Sequence, residues 1–268
     1  MSDTPIFDGE LLRATLTDPG AGQLFVSFRQ RIGQPGGFEH KAPIQFFLRR
    51  GFAHLHIQSR WNDWFINAET EALEAALAEL AARYDRRVAM GFSMGGYGVL
   101  RFARALSLNA ALAISPQYSI AKQHVRFDRR YHKESRGWDA ELGDLSARGS
   151  ELAGAILFDP FKRNDLFNAL LIAGVFPHMR LARLGCGGHP ASRPLMQAGD
   201  FNWLRGRLLS GTPDSAAIVR RHRKARKNSE SYWRHLAELA RRHGRKSLAD
   251  RVLLQAAQLS QGTDDSGS

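Results

Sequence analysis

The sequence predicts an α/β fold, a mostly parallel sheet covered by helices on both faces, followed by a C-terminal helical hairpin. Three observations carry this expectation. Short apolar, β-branched runs alternate with longer segments of helical period. At 88–106 an apolar run passes through Gly91-Phe92-Ser93-Met94-Gly95 straight into an apolar helical pattern. Beyond residue 211 the chain turns basic and wholly helical in pattern.

In chain order, residues 1–20 are mixed and polar, a lead-in or an early hairpin. Residues 23–28 (QLFVSF) form a buried strand, and 29–38 (RQRIGQPGGF) a glycine- and proline-rich loop of the kind that carries function beside a sheet. A short helix at 44–50 precedes a strand at 52–57 (FAHLHI) and an aromatic loop at 59–66 (SRWNDWFI). Leu73, Ala76, Leu77, Leu80 and Ala81 recur at helical spacing within 69–84. After the Ser93 turn and its helix comes a strand at 110–115, closed by Pro116. Residues 117–150 are polar without a strong period and are expected to form an insertion, or lid, over the sheet. A strand at 151–158 ends at Asp159-Pro160, and a helix begins at Asp165. The last strand, 179–186, leads to Gly187-Gly188-His189 and a helix over 192–209.

Two domains are therefore expected: 1–211, with 117–150 as its insertion, and a basic appendage, 212–268. Within the appendage Thr212-Pro213-Asp214 reads as a hinge and 219–227 (VRRHRKARK) as a basic cluster. Two helices flank His243-Gly244-Arg245, and 260–268 are expected to be disordered. The pair resembles one helix-turn-helix unit of the tetratricopeptide kind. A single unit is too few for an array, so it is expected to pack on the main domain.

Composition narrows the function. The chain has 268 residues, 43% of them hydrophobic, enough for a proper core. A single cysteine, Cys186, excludes an internal disulfide and points to a reducing, cytoplasmic setting. The N-terminal residues lack a basic region and apolar run of the signal-peptide type, and no apolar stretch is long enough for a membrane span. The net charge of +12 is concentrated toward the C-terminal end. The basic cluster lacks interleaved aromatics and any nucleic-acid motif, so no nucleic-acid partner is expected; the C-terminal helices are where a protein partner would bind. No H-E-x-x-H, paired-cysteine, P-loop or dinucleotide pattern is present, so neither metal nor cofactor is expected.

With strand before it and helix behind it, Gly91-x-Ser93-x-Gly95 resembles the nucleophile elbow of the α/β-hydrolase superfamily. The resemblance covers roughly residues 20–210. It implies a serine hydrolase that cleaves an ester or thioester, of a small molecule or a glycan, through an acyl-enzyme on Ser93. It also implies the chain order Ser, acid, His. His189, after the final strand and a Gly-Gly turn, takes the place of the base. The acid is Asp165 or Asp159; Asp165 could instead cap a helix, and Asp159 could simply form a turn. The resemblance places the oxyanion donors at the backbone N–H of Met94 and of Arg29 or Gln30. Trp61, Asn62, Trp64 and Tyr97 are the expected pocket walls or, alternatively, packing residues. His54 and His56, inside a strand, are expected to pack. An acyltransferase with the same triad, or a non-catalytic binding protein with this fold and a basic interaction tail, would carry the same residues.

Overall fold

The computed structural model describes residues 3–18, 20–148, 151–209 and 211–264. The chain opens on an antiparallel hairpin of β1 (Asp3–Asp8) and β2 (Leu12–Thr17). Then follow β3 (Gln23–Phe28), α1 (Gln45–Leu48), β4 (Phe52–Ser59), α2 (Thr70–Ala81), β5 (Arg86–Phe92), α3 (Met94–Arg101) and β6 (Ala110–Ile114). After the 117–150 segment come β7 (Ala153–Phe158), α4 (Arg163–Val175) and β8 (Met179–Arg183).

The eight strands form one sheet in the order β1-β2-β4-β3-β5-β6-β7-β8. β2 runs antiparallel to β4, and every pairing from β4 through β8 is parallel. The parallel strands are buried almost end to end, as expected when helices cover both faces. One core holds Leu73 and Leu77 of α2, Leu100 of α3 and Ile172 of α4. The other holds Phe25, Met90 and Leu112 from alternate strand positions, with Phe47 of α1. Because the strands are parallel, the loops after β3, β5, β6, β7 and β8 meet along one edge, where ligands bind in sheets of this kind.

Several elements differ from expectation. The last strand stops at Arg183, and Cys186 lies in the left-handed region at φ 56°. The helix expected over 192–209 is two: α5 (Arg193–Gln197) and α6 (Phe201–Gly206), broken where Gly199 takes φ 74°. Both helices contribute to the second core through Leu195 and Leu204. Of the expected 117–150 insertion, the described residues 117–148 are turns and irregular chain with a 3-10 turn at Ser146–Arg148, and 149–150 lie outside the described residues. Its lack of helical period is compensated by anchors, Ile120, Ala121, Tyr131, Trp138 and Leu145, that sink into the first core.

The basic cluster spans the end of α7 (Ser215–Ala225) and the 3-10 turn Arg226–Asn228; α7 is capped by Asp214, which accepts from Ala216 N–H at 2.8 Å and Ala217 N–H at 3.1 Å. Its apolar side, Ile218 and Ala225, joins the second core, which leaves the arginines on its outer side. α8 (Glu230–Arg242) and α9 (Lys246–Asp264) form the hairpin around a small core of Ala237, Ala240, Ala249 and Val252. Helix continues to Asp264, so 260–264 are helical where disorder was expected, and 265–268 lie outside the described residues. The hairpin sits on the main sheet's loops. Lys162 Nζ is 3.4 Å from Glu238, and the His235 ring lies so close over Gly188 that a Cβ there would come within 2.2 Å of it. Among the described residues no helix is long and apolar enough to cross a membrane.

Candidate active site

The junction of β5 and α3 forces Ser93 into a conformation few L-residues adopt, φ 50° and ψ −119°. Two glycines make that turn sterically feasible. A Cβ on Gly91 would stand 2.1 Å from the Gly95 carbonyl oxygen, and one on Gly95 would stand 2.6 Å from that of Phe28. Ser93 N–H is anchored to Ile114 O at 2.8 Å. The hydroxyl is thereby lifted to the edge where the loops meet.

His189 arrives from the loop after β8. Its Nε2 is 2.9 Å from Ser93 Oγ, and its Nδ1 is 2.8 Å from Asp165 Oδ2. A carboxylate can only accept, so Nδ1 carries the proton and Nε2 is left to accept from the serine hydroxyl. Asp165 is fully buried in the first turn of α4, at its third residue rather than its cap, where the helix dipole favours an anion. Its second oxygen accepts from Arg130 Nη1 at 2.8 Å. Arg130 also grips Asp128, through Nε at 2.9 Å and Nη2 at 2.7 Å, and Asp128 is held in turn by Asn164 and Asn168. Burial works against the Arg130 charge, but its bond to Asp128 and the Asp165 charge outweigh it and raise its pKa.

Asp159 is elsewhere in the network. Its carboxylate accepts from the backbone N–H of Cys186 at 3.1 Å, Gly188 at 2.9 Å and Phe161 at 3.0 Å. It holds the loop that carries His189 without touching the ring. Ala191 N–H to Ser115 Oγ, 3.0 Å, ties down the loop's other side.

Two further side chains reach Ser93. Gln117 Nε2 donates toward Ser93 Oγ at 3.4 Å. Its amide is oriented by Trp64 Nε1–H donating to Oε1 at 3.0 Å and by its own bond to Ser115 O at 3.1 Å. Tyr131, its ring 4.6 Å from that of Trp64, has its hydroxyl near enough to Ser93 to interact with it, and burial raises its pKa. Arg130, Gln117 and Tyr131 escaped the sequence reading because all three lie in the aperiodic 117–150 segment. The one local signal was Pro116, which marks the end of β6 and so the edge where Gln117 begins.

The four residues left open as pocket walls or packing residues are placed as follows. Trp61 is 47% exposed and packs over Gly36. Asn62 clamps the glycine-rich loop through both bonds to Ile32, at 3.0 and 2.8 Å. Trp64 is buried at φ 54°, 4.6 Å from the Tyr131 ring, and acts on the site through Gln117. Tyr97 is a core residue whose hydroxyl donates to Gly143 O at 2.7 Å. The backbone donors also sort themselves. Met94 opens α3, so its N–H has no partner four residues back. Arg29 N–H is already given to Ile57 O at 2.8 Å, which corrects its placement as an oxyanion donor; Gln30 N–H has no partner among the described residues. The Arg29 side chain is buried, bonding Gly37 O, Ser59 O and Glu39.

Neither Trp61 nor Trp64 lines the cavity beside this site. It measures about 550 Å³ and is walled by Phe92 and Pro190, the chain neighbours of Ser93 and His189, and by Gln30, Met196 and Phe201. In the same wall His56 ends a buried chain. Ile44 N–H donates to His54 Nδ1 at 3.2 Å, so His54 carries its proton on Nε2 and donates to Ser27 Oγ at 2.7 Å. Ser27 then donates to His56 Nδ1 at 2.8 Å.

Burial, with Lys41 adding to it, lowers the His54 pKa to about 4. Burial and then His54 lower that of His56 to about 3, and burial lowers that of His222 to about 4. All three are neutral in the fold and bind protons more readily once unfolded. Stability is therefore full above the unfolded value of about 6.5 and is lost as pH falls from there toward 4, by up to about 1.4 kcal/mol per histidine per pH unit. Urea midpoints should fall from pH 7.5 to pH 5.0; a flat profile would contradict their neutral burial.

The sequence matches no family model and no curated protein. Solved structures are similar at the level of fold. The capsule O-acetyltransferase of Neisseria meningitidis serogroup A superposes with TM-score 0.50 at 14% identity, over 81% of this chain and 90% of its own. A Pyrococcus furiosus esterase superposes at 0.47 and 14%, over 78% and 91%. An α/β serine hydrolase of Xanthomonas campestris superposes at 0.45 and 15%, over 78% and 93%.

Proposed function

Because the chain has the α/β-hydrolase fold, we propose that it is a serine hydrolase acting on an ester or thioester through an acyl-enzyme on Ser93. The observation that carries this reading is the hydrogen-bonded line from Ser93 through His189 to Asp165, 2.9 and 2.8 Å, hung on a strained elbow. Ser93 Oγ attacks the carbonyl as its proton passes to His189 Nε2, and Asp165 stabilises the imidazolium that forms. The N–H groups of Met94 and Gln30 face the developing oxyanion. The protonated His189 then gives its proton to the leaving alcohol or thiol, and water attacks the acyl-enzyme by the reverse path. Asp159 positions the His189 loop, and Gln117 positions the nucleophile.

A fluorophosphonate probe tests the reading. Wild-type protein should label on one site, and Ser93→Ala should abolish labelling. A wild type that stays unlabelled where a control hydrolase reacts would favour a binding protein that retains the fold. Transfer of the acyl group to an alcohol would use the same acyl-enzyme, and the 550 Å³ cavity beside it has room for an acceptor. Product analysis separates the two: hydrolysis that no added acceptor diverts counts against transfer.

A further inference from the structure

The wall of the cavity beside the elbow is cationic out of proportion to its size. Arg29, Lys41, Arg193 and Arg205 line it against one carboxylate, Glu39. Glu39 is already committed to Arg29 at 3.1 Å. Among the described residues Lys41, Arg193 and Arg205 make no ion pair, so three positive charges face one space without a counter-charge.

Arg205 shows this most clearly. Its guanidinium stacks over Phe201, 4.7 Å from the ring centre, and one arm donates to Asn202 Oδ1 at 2.8 Å. Its Nε is buried and has no hydrogen-bond partner. A half-buried guanidinium whose Nε is shut off from water without a partner, and whose only hydrogen bond goes to a neutral amide, is poised for a carboxylate or phosphate, which guanidinium binds with charge-assisted bonds. Burial alone lowers the Arg205 pKa, with no neighbouring anion to offset it. His56 adds a neutral donor. Its Nδ1 is taken by Ser27, which leaves Nε2–H, without a partner among the described residues, in the same wall. The rest of the lining is largely apolar, including Phe25, Ile32, Met90 and Met196. An apolar space with cations in its wall suits a short hydrocarbon chain that ends in an anion.

We propose that this cavity is a subsite for an anionic group, a carboxylate or phosphate joined through a short apolar chain to the ester that Ser93 attacks, with Arg193, Arg205 and Lys41 as its binding cations. The ester rests on the reading of Ser93 given above; the anion site does not, and its test is separable. The basic face of α7 is a different feature, since none of its arginines lines the cavity.

Inorganic phosphate and glutarate should each bind wild-type protein saturably by calorimetry, over a chloride control of matched ionic strength. Arg205→Gln and Lys41→Gln should each weaken that binding, and Arg193→Gln/Arg205→Gln should weaken it at least about 10-fold. Tighter phosphate than glutarate would assign a phosphate-bearing substrate, and the reverse a carboxylate-bearing one. Glutarate should also slow fluorophosphonate labelling of Ser93, and mono-p-nitrophenyl glutarate should be preferred over p-nitrophenyl pentanoate, with the preference lost in the double variant. Binding that is absent, or equal in folded variants and wild type, overturns the subsite. If Ser93 labels without any anion binding, the subsite fails and the hydrolase reading stands; anion binding without labelling sinks the hydrolase reading and leaves the subsite.

Discussion

His189→Ala is expected to lower kcat on a p-nitrophenyl ester by about 10⁶-fold, because triad members act as a unit. No neighbour can replace the imidazole. Gln117 presents an amide N–H to Ser93, which donates rather than accepts. The Tyr131 phenol stays protonated, since burial raises its pKa above the ordinary value. The loop itself should survive the substitution. Its anchors are backbone bonds, from Cys186 and Gly188 to Asp159 and from Ala191 to Ser115, none of which involves the ring. The His189 side chain is a quarter exposed, so truncation opens no deep cavity. A melting temperature within a few degrees of wild type should accompany the lost turnover and the lost fluorophosphonate labelling. Turnover retained in a folded His189→Ala variant would place the base elsewhere.

How much of this could be read from the sequence depended on the range of the interaction. The elbow was legible because its constraint is local: Gly91 and Gly95 meet the backbone of their own turn and of the adjacent strand end. His189 was legible by position, since the parallel sheet brings every strand end to one edge. The acid stayed open between Asp159 and Asp165 because both follow β7, and six residues decide whether a carboxylate faces the loop backbone or the ring. Arg130 was not legible at all. It bonds Asp165 across 35 positions from a segment with no period, and nothing local marks it. The aromatic loop stayed open between pocket wall and packing for a related reason. Trp64 and Phe65 both take positive φ, which no pattern announces, and this turns Trp64 into the core to hold Gln117 rather than into a pocket wall. The break between α5 and α6 was more accessible: Gly199 stood inside the helical pattern, and glycine at φ 74° ends a helix.

Asp165→Asn should cost about 10⁴-fold in kcat, and Arg130 is the reason the loss should be so complete. Arg130 Nη1 donates to one Asp165 oxygen while His189 Nδ1–H uses the other. In the asparagine variant one of these partners must face an NH₂. The guanidinium cannot accept a hydrogen bond and cannot give up its proton, so it retains the Oδ1 oxygen. The NH₂ is then turned to His189, whose Nδ1 must become the acceptor. That moves the ring proton to Nε2, the atom that in the proposed mechanism receives the proton of Ser93, and the proposed base is disabled in place. Asp159→Asn is the contrast. Its carboxylate meets only backbone N–H groups, so an amide there loses one or two of three bonds and leaves a buried donor facing a donor. The expected result is a stability loss of about 1–3 kcal/mol by urea unfolding and a fall in kcat of less than about 100-fold from a looser loop. The two variants therefore separate on different axes, one on chemistry and the other on unfolding. Equal, small effects on kcat would mean that neither aspartate orients the base, and a large kcat effect confined to Asp159→Asn would reassign the acid.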